Sequence, residues 1–74
     1  MNSNPLTKYH KNFGKKIQKI RKEKGMTQED LAYKAKVDAS YIGYLERGEK
    51  NPTLSKIINI AKALKVKLSH LFED

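Results

Sequence analysis

The chain has 74 residues, no cysteine and a formal charge of +8. That length supports one small domain with a modest core, only marginally stable without a partner chain, and the missing thiols exclude a disulfide framework and a thiolate metal site. The opening stretch has no apolar segment of secretory type and no run reaches membrane-spanning length, so a cytoplasmic location is expected.

Residues 1–8 are polar, contain Pro5, and are expected to form a flexible arm ahead of a folded unit over 9–74. The first predicted helix runs from about Tyr9 to Lys24. Phe13, Ile17 and Ile20 make its apolar stripe, with Lys15, Lys19 and Lys22 pointing away. Arg21 sits on the flank of that stripe. Residues 1–24 carry eight Lys or Arg and one acid, whereas residues 25–49 carry three and five. The flanks, rather than the middle of the chain, therefore supply the attraction for a polyanion. The plainer alternative is that the lysines of helix 1 form a solvated face.

Gly25 is a helix stop, because only glycine enters the left-handed cap without a Cβ penalty. Thr27 is the candidate cap of a second helix, with Asp30 three residues on as a weaker substitute for the usual capping-box Glu. Leu31, Ala32 and Ala35 fall on one face. A short turn over 35–37 leads to Asp38, an N-cap candidate for a third helix through Arg47. Two short helices across so tight a turn suit a helix-turn-helix, with the motif over about 28–47. Ile42 and Leu45 face inward. Ser40, Gly43, Tyr44 and Arg47 face outward, a surface with hydroxyls and a cation but no carboxylate, which can enter a DNA groove. Tyr33 lies outside on helix 2, and Tyr41 flanks the core stripe of helix 3. Glu46 flanks that stripe as Arg21 flanks its own, so an internal Arg21–Glu46 ion pair is expected.

Gly48 stops helix 3, and Thr53, after Pro52, caps helix 4. Leu54, Ile57, Ala61 and Leu64 repeat at helical spacing, with Ile58 and Ile60 beside them. That is more apolar surface than one stripe needs. Either the helix is nearly buried or part of it awaits another subunit. Val66, Leu68, Leu71 and Phe72 form a short fifth helix, with Lys67 where a capping hydroxyl would normally stand. Ile58, Leu68, Leu71 and Phe72 are the candidate contacts of a homodimer. His10 and His70 are isolated, with no second ligand at metal spacing. No catalytic constellation or glycine-rich phosphate loop is present. Neither an enzyme nor a cofactor or metal site is expected.

The string TQEDLA, a turn, SYIGYLERG and then NPTLSKIINIAKAL resembles the Cro and phage-repressor type of helix-turn-helix family over roughly residues 13–72. The resemblance implies an all-α, compact five-helix bundle that binds double-stranded operator DNA, usually as a dimer. It implies that Ala39, Ser40 and Tyr44 read bases, and that Gln28, Arg47, Lys50 and Asn51 meet the DNA backbone. It also supports the Arg21–Glu46 pair as structural. Lys36 stands where many members have glycine, and is therefore expected in a left-handed conformation. Small stand-alone members include phage repressors, restriction–modification controller proteins and antitoxins.

The expected function is thus sequence-specific DNA binding by a transcription regulator on a near-palindromic operator. The alternative is a protein-interaction module that kept the fold and lost DNA binding. Glu29, at the start of helix 2, either touches RNA polymerase in an activator or stabilises its helix N-terminus in the ordinary way.

Overall fold

A computed structural model describes residues 5–73. It contains four α-helices, α1 (Pro5–Glu23), α2 (Gln28–Ala35), α3 (Ala39–Glu46) and α4 (Leu54–Leu64), and a closing 3₁₀ helix (Leu68–Phe72). The fifth helix expected from the sequence is therefore not α-helical. It is five residues long, Lys67 offers no side-chain cap, and its bonds run from His70 N to Lys67 O at 3.0 Å and from Glu73 N to His70 O at 3.4 Å. Short, uncapped segments of this kind take the tighter winding. Helix α1 begins earlier than Tyr9, so residues 5–8 of the expected arm are helical; residues 1–4 lie outside the described residues. Proline suits a first helical turn because it has no N–H to leave unsatisfied.

All four α-helices stop in the same way. Gly25, Lys36, Gly48 and Lys65 each adopt a left-handed conformation, with φ of 70°, 61°, 78° and 59°. In each case the residue after it donates its N–H back across the last turn: Met26 to Arg21 O, Val37 to Ala32 O, Glu49 to Tyr44 O and Val66 to Ala61 O, at 2.9–3.1 Å. These are Schellman motifs, which satisfy the orphan carbonyls of a helix end. Met26, Val37 and Val66 also pack against the core. Lys36 is left-handed as expected. Lys65 repeats the device at a position the sequence did not mark.

The core gathers Ile17 and Ile20 from α1, Leu31, Ala32 and Ala35 from α2, Ile42 and Leu45 from α3, Ile60, Ala61, Ala63 and Leu64 from α4, and Leu71 from the 3₁₀ helix. Helix α2 packs on α3 and α4, while α1 packs on α3 and on the 3₁₀ helix. The apolar excess of α4 is only partly absorbed: Ile58 stays half-buried and Leu54 is 64% exposed.

The crossing of α1 over α3 depends on two glycines. A Cβ at Gly14 would collide with the Leu45 carbonyl oxygen and lie 2.6 Å from that of Glu46. One at Gly48 would lie 2.8 Å from the Lys11 Cα. Both obstacles are backbone, so no rotamer change relieves them. Gly43, by contrast, would place its Cβ no nearer than 3.4 Å, to the end of the flexible Arg47 side chain. Alanine normally favours a helix over glycine by up to about 1 kcal/mol. Gly43→Ala should therefore raise stability by up to that amount. Gly14→Ala should lower it, since overpacking of about 1–3 kcal/mol outweighs the propensity gain. Thermal and urea unfolding of the two variants check the contrast; equal stabilisation by both would show that the crossing is looser than described.

Candidate nucleic-acid interface

The interface is built on a buried polar hub. Arg21 Nε donates to Glu46 Oε2 at 2.6 Å and its Nη2 to Oε1 at 3.1 Å. Both residues are 7% exposed. Gln18 Nε2 and Gln28 Nε2 donate to the same Oε1 at 3.3 and 3.0 Å. The remaining Arg21 Nη1 donates to the Met26 carbonyl at 2.8 Å. One carboxylate at the end of α3 thus binds two side chains of α1 and one of α2. The Glu46 hydrogen bond is the main cause that raises the Arg21 pKa above its already high ordinary value. The sequence pointed to the ion pair but not to Gln18, although Gln18 lies three residues before Arg21 on the same helix face.

The N-terminus of α2 is set by a complete capping box. Thr27 Oγ1 accepts from Asp30 N, and Thr27 N donates to Asp30 Oδ2, both at 2.9 Å. The Thr27 N–H donated to the carboxylate, helped by the Thr27 hydroxyl, holds the Asp30 carboxyl below the ordinary carboxylate range. Gln28 opens α2, but its amide nitrogen is turned inward to Glu46. Its second amide proton is what remains for an outside acceptor.

On α3, Ser40 is exposed and Tyr44 is 43% exposed. Ala39 is half-buried and packs partly on the core. Gly43 is buried beneath Arg47 and Gln28 rather than bare on the outer face. The Arg47 guanidinium carbon lies 4.9 Å and the Lys50 ammonium 5.6 Å from the centre of the Tyr44 ring. The residues expected to read bases and those expected to hold the backbone thus meet at Tyr44, within cation–π range. Arg47 also reaches Glu49 at 3.3 Å on the exposed surface, and Asn51 is exposed in the loop beyond. Tyr41 packs its ring half-buried, with the Lys56 ammonium of α4 5.4 Å from its centre; burial pushes its phenol pKa up. That Lys56 contact crosses elements and left no signal in local spacing.

Four residues had been candidates for contact between subunits. Leu71 is 2% exposed and belongs to the chain's own core, so it has no surface left for a partner. Phe72 is exposed but stacks on Phe13, with ring centres 5.3 Å apart. Ile58 is half-buried and Leu68 is 38% exposed.

The helix-turn-helix family profile matches residues 17–71. The chain is 38% identical over 63 residues to the control protein C.MunI of Mycoplasma sp, covering 84% of this chain and 85% of that protein. It is 43% identical over 56 residues to the immunity repressor protein of Bacillus phage phi105, covering 76% of this chain but 39% of the repressor. The restriction-modification controller protein C.AhdI of Aeromonas hydrophila superposes with a TM-score of 0.87 at 37% identity, over 88% of this chain and 98% of that one.

Removing one partner of a buried ion pair strands the other, at about 3–5 kcal/mol. Glu46→Ala, which also orphans two amides, should unfold the chain or bring it close to unfolding. Arg21→Met combined with Glu46→Leu should recover much of the loss, since an apolar pair of similar volume leaves no charge stranded. Denaturation midpoints of the single and double variants test this, and a single variant as stable as the parent would rule out the hub as a structural element.

Proposed function

This chain belongs to the helix-turn-helix family of transcription regulators, and on that footing we propose that it is a controller that binds a near-palindromic operator as a homodimer. The observation that carries the reading is the outer face of α3. Its acid, Glu46, is withdrawn into the hub, leaving Ser40 and Tyr44 exposed beside Arg47 and Lys50. Such a face offers hydroxyls and cations to a major groove, with Glu49, the carboxylate beside them, paired to Arg47. The controller role is supported by the likeness to C.MunI and C.AhdI, which runs over 85% and 98% of those proteins.

In this reading Ser40 and Tyr44 reach base edges and Ala39 offers a methyl surface at the helix start. Arg47, Lys50 and Asn51 hold phosphates. Gln28 contributes its second amide proton while its first stays on Glu46, so the backbone contact and the hub share one side chain. Leu54 and Ile58 lie one turn apart on α4, and together with Leu68 they supply the apolar surface for a second copy. A twofold would set the two reading helices about 34 Å apart, one turn of DNA.

Operator duplexes should be selected from a random pool and compared with non-operator DNA across a salt series. Ser40→Ala and Tyr44→Ala should lose about 1–3 kcal/mol on the operator and little elsewhere. Arg47→Ala and Lys50→Ala should weaken binding on every sequence and lower the salt slope by about one. Uniform losses in all four variants would reduce α3 to a backbone anchor. Absence of any salt-dependent binding would favour a protein-interaction module instead.

The subunit contact has its own test. Ile58→Asp and Leu68→Asp leave the buried core untouched, so the folded monomer should persist while sedimentation shifts from dimer to monomer. If the parent sediments only as a monomer at high micromolar concentration, with and without DNA, the homodimer is excluded.

A further inference from the structure

A recess of about 810 Å³ opens between the N-terminal half of α1, the α3–α4 loop and the 3₁₀ helix. Its floor is apolar, made by Phe13, Ile57, Leu71 and Phe72. The two phenylalanine rings are stacked with 24° between their planes, and Phe72 remains 59% exposed. Lys15, Lys16 and Lys19 line its α1 side. Among the described residues the ion pairs are Arg21–Glu46, Arg47–Glu49 and His70–Glu73, so none of these lysines is neutralised. Glu73, the acid in the lining, is engaged with His70 Nδ1 at 2.9 Å. The recess shares Asn51 with the proposed DNA surface, but its aromatic floor has no part in the proposed reading of DNA by α3.

We propose that this recess docks an acidic amphipathic segment of a partner protein. Its apolar side chains lie on the Phe13–Phe72 floor and its carboxylates meet Lys15, Lys16 and Lys19. Charge complementarity selects this occupant. A second copy related by a twofold through this recess would set the same three lysines face to face, and like charges so placed oppose association. A nucleic acid would satisfy the lysines but not the floor, where Phe13 and Phe72 turn ring faces toward each other rather than toward a base. An amphipathic helix satisfies both, with anchors at i, i+4 and i+7 and acids on its flanks.

The probe is a fluorescent synthetic peptide of roughly four helical turns, with Leu and Phe at those anchor positions and Glu elsewhere. A scrambled peptide of equal composition and a single-stranded oligothymidylate are the comparisons. Binding to the full chain is followed by anisotropy, and the site is mapped by amide shifts. The patterned peptide should bind with micromolar affinity, at least about tenfold tighter than the scrambled one, because anchors must match the floor. Shifts should cluster on α1, the α3–α4 loop and the 3₁₀ helix. Lys15→Glu with Lys19→Glu, both exposed positions, and separately Phe72→Ser, should each weaken binding roughly tenfold while circular dichroism stays that of the parent. The proposal is overturned if the patterned peptide does not bind, or if the scrambled peptide binds equally well. It is also overturned if the oligonucleotide binds more tightly and is lost in the same variants, or if the charge reversals change the oligomeric state without changing peptide affinity.

Discussion

The Glu46 carboxylate is the constraint on which the rest of this small fold turns. Helices α2 and α3 have eight residues each, well short of the length at which a helix persists alone in water. They exist because their apolar faces are buried and their ends are tied. Glu46 ties α3 to α1 through Arg21 and Gln18, and to α2 through Gln28. A buried pair of this kind adds little net stability over an apolar replacement, because both charges lose their hydration. What it adds is direction. The carboxylate accepts from fixed donors on two other helices, so the orientation of α3 is set more narrowly than apolar packing would set it.

The same hub bears on the electrostatics of the motif. Residues 25–49 hold more acids than bases, an awkward balance for a surface meeting phosphate. Three of those acids have partners within the chain: Glu46 with the buried Arg21, and at the surface Asp30 in the capping box and Glu49 with Arg47. The chain's excess of positive charge lies outside the motif, mostly along α1. On the proposed reading, long-range attraction and local discrimination would fall to different helices, the first weakening with salt and the second with mismatched bases.

What was legible in the sequence was what local chemistry determines. Thr27 and Asp30 announce a cap by their spacing. Arg21 and Glu46 announce a pair because each flanks an apolar stripe that must be covered. Lys36 declares its left-handed backbone through its place in a motif string. What stayed hidden depends on distance in space. Gly14 looks like a flaw in a helix until the carbonyls of α3 are seen against it. Leu71 looks like spare apolar surface until α4 and α1 close over it. Gln28 was expected to point at phosphate, and nothing in its neighbours along the chain reveals that its amide is claimed from eighteen residues away. The last helix was misjudged in winding rather than in place, because an apolar side repeated over five residues does not separate a 3₁₀ from an α geometry.

Gly14 and Gly48 have a mechanical meaning. Backbone touches backbone where α1 passes the end of α3, at Lys11 and Gly14 on one side and Leu45 through Gly48 on the other. Side-chain contacts yield by changing rotamer, but contacts between main chains have no such slack. The first half of α1 and the end of α3 are therefore held together without side-chain slack. A tilt of α1 would carry with it the end of α3 and the Tyr44, Arg47 and Lys50 side chains clustered beside it.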